Sequence, residues 1–409
     1  MLLVSSAIRI VVSGMIAADP YQGGAAWAVL QYVLGLRALG HDVYLVEPIP
    51  RSSFRPGGSS LGATTNAAYF LEVAARFGLT DRAALLQHGT NQTVGLSYAA
   101  LVDATRHCEL LINVSGMLTD ARLLEAIPRR AYLDLDPGFV QLWDAAERID
   151  MRLEGHTHFV TVGQAIGTAD CDIPTCGRAW IPTVQPIVLP EWPVRPGNPA
   201  ADWTTVGNWR GYGSIQHGGR FYGQKAHSLR RLMDLPMRTS ERVSLAFSID
   251  PGEVNDLDAL RRHRWHLVDP AAAAGTPDQY RAFIQRSKGE LGIAKSGYVE
   301  SRCGWFSDRS VCYLASGRPV VAQETGFSRF LPTGEGLFAF DTPDAALGAI
   351  DAINRDYRRH CRRAREIAEA YCGAKRVLGR FLDRIGAVND RVVSANPHTR
   401  AHTGAEAAS

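Results

Sequence analysis

Arg302-Cys303-Gly304-Trp305-Phe306-Ser307-Asp308 sets a guanidinium, a glycine turn and a helix-capping serine side by side. Gly304 frees the backbone at the turn, Ser307 suits an N-cap, and Asp308 belongs in a first helical turn. Unpaired N–H groups at such a helix start attract an anion, typically a phosphate, and Arg302 would add a bidentate contact. The plain alternative is a capped helix with no ligand. Lys225 and Lys295 are two further cations suited to a diphosphate, although a lone lysine is commonly a solvated charge. Gln323-Glu324-Thr325-Gly326-Phe327 is a strand-end loop rich in hydrogen-bonding groups, and Glu324, Thr325 and Gly326 could meet a sugar.

Carboxylates supply the complementary chemistry. Asp134 and Asp136 alternate before Pro137-Gly138, which places both on one strand face ahead of a turn. Either a general base at Asp136 or simple turn capping fits that spacing. Asp19 stands in the polar loop Gly14–Gly24, where Gly23 and Gly24 open a helix; this loop either meets a ligand or is a structural turn. Glu300 and Asp308 lie near one strand end and either could hold a ribose or sugar hydroxyl. His156, His158, Cys171 and Cys176 are spaced too loosely for a regular zinc site, so no metal and no cofactor is expected.

The elements that must carry these groups alternate. Ile8–Val12 reads as a strand, Ala25–Leu39 as a helix with Trp27, Leu30, Val33, Leu34 and Leu39 inward, and Val43–Val46 as the next strand. Thr65–Phe77 and Tyr98–His107 read as helices, and Leu110–Val114, Ala131–Leu135 and Phe159–Val162 as strands. After the proline-rich stretch Ile181–Pro199, a linker by composition, the pattern restarts. Strands are expected at Thr204–Val206, Val243–Ile249, Trp265–Val268, Leu291–Ala294, Val320–Ala322 and Gly336–Phe340. Helices are expected at Asp344–Asn354, Tyr357–Ala370 and Arg376–Ile385. The segment from Ser296 to the Gly304 turn reads as a strand. Such alternation predicts α/β architecture with parallel sheets.

Length and composition set the outer limits. The 409 residues suit two domains. A 46% hydrophobic share with 21% charged residues describes an ordinary globular chain, and a net charge of +3 argues against bulk nucleic-acid binding. Seven cysteines without regular spacing suit reduced thiols in a cytoplasmic setting. The apolar start reads as a first strand, and no run is long enough to span a bilayer. Arg358, Arg359, Arg362, Arg363 and Arg365 share a helix with Glu366 and Glu369; a solvated face is the default, and peripheral membrane contact stays open. The absent G-x-G-x-x-G fingerprint argues against an oxidoreductase.

Arg302–Ser307 followed by Ala315-Ser316-Gly317-Arg318-Pro319-Val320-Val321-Ala322 resembles the donor-binding region of GT-B glycosyltransferases. Plant-type members carry His-Cys-Gly-Trp-Asn-Ser there, and many bacterial ones Ala-Cys-Gly-Thr-Pro-Val-Val-Ala. Gly23-Gly24 and Gly35–Val43 resemble the bacterial, group 1-like opening. The resemblance implies two doubly wound Rossmann-like domains facing a cleft: an acceptor-side domain over 1–190 and a nucleotide-sugar domain over 191–372. A helix over 373–386 would pack back on the first domain, ahead of a disordered tail over 387–409. It further implies metal-independent transfer from a nucleotide-diphosphate sugar to the hydroxyl of a small-molecule, glycan or natural-product acceptor, with no nucleic acid as partner. Arg302 stands where the family has histidine, and the family's ribose glutamate has no clean match near Asp308–Cys312. Glu300 and Asp308 echo the paired acids of retaining members by count, and Glu300 joins Asp136 and Asp19 as a catalytic candidate. The bacterial-type opening tilts the course toward retention. A sugar-nucleotide epimerase of the same fold and a non-catalytic sugar- or nucleotide-binding module are the rival readings.

Overall fold

Crossover connections run through both halves of the chain and fix its topology. The computed structural model describes residues 7–387, so the N-terminal run and the tail from residue 388 onward lie outside the described residues. In the first half, β1 (Arg9–Ser13), β2 (Asp42–Ile49), β3 (Ala83–Gln87), β4 (Thr93–Gly95), β5 (Leu110–Val114), β6 (Arg129–Asp134), β7 (His158–Thr161) and β8 (Trp180–Pro182) form one sheet. Its order is β4-β3-β2-β1-β5-β6-β7-β8, parallel except for the β3/β4 pair. In the second half, β9 (Trp203–Asn208) is followed by a hairpin of β10 (Ile215–His217) and β11 (Arg220–Tyr222). The remaining strands are β12 (Val243–Ser248), β13 (His266–Leu267), β14 (Gly289–Gly292), β15 (Val320–Gln323) and β16 (Leu337–Phe340). They pair in the order β13-β12-β9-β14-β15-β16, all parallel. Chain order reverses beside β1 in one sheet and beside β9 in the other. Such switch points are where open α/β sheets bind ligands, at the strands' carboxyl ends.

The inner strands are apolar throughout, as burial on both faces demands: Ile10, Val11 and Val12 of β1 are fully buried, as are Val320 and Val321 of β15. Helix Gly23–Ala38 packs on the second half as well as on its own sheet. Trp27 Nε1 donates to the Pro277 carbonyl at 2.8 Å and its ring lies 5.0 Å from that of Trp192. Helix Ala374–Arg384 closes on the same helix, and a Cβ on Gly35 would come within 2.5 Å of Leu378.

The segment Ser296–Ser301 is a helix rather than the expected strand. β14 is already flanked on both sides by β9 and β15, and the Ser296 and Gly297 amides turn instead to the carbonyls of Gln224 and Gly223. The proline-rich linker is no free tether either, since Ile187 and Trp192 are fully buried and Ile187 bridges Gly373. The hairpin, β3, β4 and the helices Phe139–Ala145, Lys225–Arg230, Val254–Arg262 and Pro277–Arg286 have no counterpart in the sequence reading.

Candidate active site

A cavity of about 650 Å3 lies where the two switch points face each other. Its N-terminal wall is the loop after β1 and the first turn of helix Gly23–Ala38. That loop is pinned from beneath by Glu47 of β2, whose side chain is sealed from solvent. The Glu47 carboxylate accepts the Ala17 N–H at 2.9 Å and the Ala18 N–H at 2.6 Å, while Asn66 Nδ2 donates to the Ala17 carbonyl at 2.7 Å. Loss of hydration pushes the Glu47 carboxyl up to about 7, against the pull of those backbone N–H groups. Asp19 stands at the cavity mouth, bound to Arg55 at 2.6 Å and to the Gln22 side-chain amide.

Gly23 and Gly24 are set by close approach. A Cβ on Gly23 would fall 2.3 Å from the Thr276 carbonyl oxygen, and one on Gly24 would fall 2.8 Å from the Tyr280 ring. Only glycine lets this helix start abut the second domain, and its first-turn amides have no intrahelical partner.

The C-terminal wall carries the charge. Lys225 begins the helix Lys225–Arg230, and Asp308 and Arg309 begin the helix Asp308–Ala315, capped by Ser307 Oγ, which accepts the Arg309 N–H at 3.2 Å. A Cβ placed on Gly207, at the end of β9, would lie 3.1 Å from Lys225 Nζ and 3.7 Å from an Arg309 guanidinium nitrogen, so both cations converge there. Arg309 is neutralised: its Nε donates to Glu290 Oε1 at 2.5 Å and its Nη1 to the Val206 carbonyl at 3.0 Å. Lys225 is not. Among the described residues it has no hydrogen-bond or ion-pair partner, only the Phe247 ring at 5.8 Å. Loss of hydration, then repulsion from Arg309 and Lys295, pushes its ammonium down to about 7, with Asp308 and Asp136 opposing weakly. A cation without a counter-charge in a cleft marks a candidate anion site.

Asp19, Gly23, Gly24, Lys225 and Asp308 therefore line one cavity, with Ser307 capping beside them. The other expected residues lie elsewhere. Asp136 is engaged by the second domain, with its oxygens 2.8 and 3.0 Å from Lys295 Nζ and further donations from the Tyr212 and Tyr298 hydroxyls. Glu300 is half-exposed and faces Arg220 at 3.7 Å. Arg302 pairs with Asp341 at 3.0 Å on the surface. The Gly304 turn, at φ +79°, packs on the first domain: a Cβ there would meet the Ala165 N–H at 3.0 Å. Its N–H is spent on the Thr325 carbonyl at 2.8 Å, and Thr325 Oγ1 donates to the Trp305 carbonyl. Glu324 accepts the Gly326 N–H, Trp305 stacks on Tyr298 at 4.2 Å, and Phe306 lies against Phe327. This knot of two loops is a structural seam. The reason is packing: an apolar turn against an apolar domain face leaves no room for a phosphate.

His156 bonds Asn113, His158 bonds Thr157, Cys171 contacts the Ser301 carbonyl and Cys176 the Gln141 carbonyl. Among the described residues no three His, Cys, Asp or Glu side chains are placed to hold a metal. The sequence reading missed Arg309, Glu47, Arg55 and Tyr280. Glu47 did leave a signal, a lone carboxylate inside the apolar strand Val43–Ile49.

No protein-family model matches the chain, and no curated protein sequence matches it. Solved structures do. An alpha-glucosyltransferase in complex with UDP and a 13-mer DNA superposes with a TM-score of 0.59 at 11% identity, over 93% of this chain and 100% of that one. The Anabaena protein HepE, in complex with UDP and glucose, gives 0.57 at 11% identity over 93% and 100%. The sucrose-phosphate synthase of Thermosynechococcus elongatus gives 0.53 at 11% over 93% and 99%. The chain has the GT-B fold: two Rossmann-like domains across a cleft.

Proposed function

We propose that this protein is a glycosyltransferase that moves a sugar from a nucleotide-diphosphate sugar to an acceptor hydroxyl. The single observation that carries this is Lys225, a cation left without a counter-charge in the cavity between the two switch points. A diphosphate supplies the missing charge. Its phosphates would lie against Lys225, the first-turn amides at Gly23–Gly24 and the start of the helix capped by Ser307. Asp308, in the same wall, is the carboxylate placed for a ribose hydroxyl. The resemblance read in the sequence and the UDP held by two of the structural neighbours support the same class.

In the reaction the acceptor oxygen bonds to the anomeric carbon as the bond from that carbon to the phosphate oxygen breaks. The electron pair leaves with the diphosphate, whose growing charge Lys225 and the amides stabilise. No metal is required in this scheme, because these groups fill that role. We favour a retaining course, in which the acceptor's proton passes to the departing phosphate oxygen. With both Asp136 oxygens engaged, that residue is unfit as a base, and Asp19 is held by Arg55. An inverting course would need Asp19 released as the base. The reading is tested by a thermal-shift panel of nucleoside diphosphates and their sugars, followed by product analysis with and without acceptors. Selective stabilisation and an acceptor-dependent glycoside are expected. A new sugar nucleotide formed from donor alone would instead identify an epimerase, and binding without turnover a binding module.

A further inference from the structure

Asp136 sits at the carboxyl end of β6 in the first domain, and every side-chain contact it makes is to the second. Lys295, Tyr212 and Tyr298 all donate to it, and its own N–H is fixed by Asp134 Oδ1 at 2.8 Å. Lys295 lies in an aromatic box, with its ammonium 5.0, 4.1 and 5.2 Å from the ring centres of Phe139, Tyr212 and Tyr298. Only about a fifth of either charged side chain is exposed, 21% for Asp136 and 16% for Lys295.

The backbone beyond Lys295 carries this contact onward. Lys295 caps the helix Ser296–Ser301, whose first residues grip the stretch of chain leading to Lys225. Ser296 Oγ accepts the Gly223 N–H at 3.1 Å, the Gly297 N–H donates to the Gly223 carbonyl at 2.9 Å, and the Ser296 N–H donates to the Gln224 carbonyl at 3.4 Å. A Cβ on Gly223 would meet Ser296 Oγ at 2.7 Å, so the grip is close. A continuous path of hydrogen bonds and peptide bonds thus runs from Asp136 through Lys295, Ser296 and Gly297 to Gly223, Gln224 and Lys225.

We infer that Asp136 is a positioning residue that couples the contact between the two domains to the placement of Lys225 for the donor diphosphate. The inference rests on the donor reading of the Lys225 cavity. With Asp136 in place, Lys295 is neutralised and anchored, and the segment Gly223–Lys225 is held at the cavity wall. Without it, Lys295 becomes an unpaired buried cation beside Lys225, and the anchor of that segment is lost.

Four variants decide it: Asp136→Asn, Asp136→Glu, Lys295→Met and the combination of Asp136→Asn with Lys295→Met. Each is compared with the unsubstituted protein by amide hydrogen exchange and by calorimetric titration with UDP, at a temperature where all remain folded. Asp136→Asn is expected to speed exchange at 223–225 and 296–298 and to weaken UDP binding by about tenfold. The combined variant, which has no stranded charge, is expected to recover most of that affinity, and Asp136→Glu to retain it. A purely structural role would lower the unfolding midpoint and leave the UDP affinity of the folded protein alone. A general base would leave the combined variant as impaired in transfer as Asp136→Asn, with UDP affinity intact. Unchanged or tighter UDP binding in Asp136→Asn overturns the inference, as does unchanged exchange at 223–225. Should the unsubstituted protein take up no nucleoside diphosphate, the donor reading falls, and the exchange comparison still decides whether Asp136 controls the Lys225 segment.

Discussion

Arg309 Nε lies 2.5 Å from Glu290 Oε1, and this buried pair commits the Glu290 carboxylate to Arg309 and leaves Lys225 without it. The two cations share a wall, and only one of them has been neutralised. On the proposed donor reading, that asymmetry marks Lys225 as the group that takes the anion.

Replacing Lys225 by Met is expected to weaken nucleoside diphosphate binding by about 10- to 100-fold, the range for a lost hydrogen bond to a charged group. The unfolding midpoint of the ligand-free variant should hold or rise, because an uncompensated cation has been removed. Calorimetry and thermal unfolding check the two halves separately. A lower midpoint with unchanged affinity would return Lys225 to an ordinary structural role.

Proton uptake should accompany binding. Free Lys225 titrates near 7, below the usual lysine range, so above that pH it is mostly neutral. The arriving diphosphate favours the ammonium and raises its proton affinity again. Affinity is therefore expected to fall as pH rises through about 7 to 8, and titrations in buffers of differing ionisation enthalpy should report uptake approaching one proton at about pH 8. Arg309, Lys295, Asp308 and Asp136 are the charged groups that face Lys225, and Lys225→Met should remove the effect.

Glu47 links the loop after β1 to the sheet. Glu47→Ala strips the acceptor from the Ala17 and Ala18 N–H groups in a sealed site, and a loss of about 2–4 kcal/mol is expected in denaturant unfolding. Its folded carboxyl titrates near 7 against 4.5 when exposed. The folded state thus holds a proton that the unfolded state has lost, and the stability this brings is full below about 4.5 and gone above about 7. Glu47→Gln should flatten that segment of the stability–pH curve; an unaltered curve would assign the slope to another group.

Gly23→Ala would drive a methyl group into the Thr276 carbonyl across the domain boundary. A cost of about 1–3 kcal/mol and weaker diphosphate binding are expected, since the helix start must retreat from the cavity. Arg302→Ala, by contrast, should leave affinity unchanged, because its guanidinium belongs to Asp341. Weakened binding in that variant would place a phosphate at the Gly304 turn after all.

The frame was open to reading because apolar strands and capped helices alternate with regular period, and β5 falls at Leu110–Val114 as periodicity indicates. Lys225, Asp19, Gly23 and Asp308 were legible for the same reason: loops at strand ends or helix starts deliver them to the cavity between the two sheets. Arg302, Gly304 and Glu324 share that signature, yet Arg302 pairs with Asp341 on the surface, Glu324 closes its own loop and Gly304 packs on the other domain, and nothing in local sequence separates a turn that meets a ligand from one that meets protein. Arg309 was hidden because its partner Glu290 is nineteen positions away, on another strand. The engagement of Asp136 by the second domain was hidden for a tertiary reason, since its partners lie 76, 159 and 162 residues downstream.

A crystal structure with UDP bound places the whole account at risk in one step. The phosphates are expected within hydrogen-bonding distance of Lys225 Nζ and of the amides at Gly23–Gly24 or Asp308–Ser310. Phosphates found at the Gly304 turn, or UDP anywhere outside the cavity between the two switch points, would contradict it.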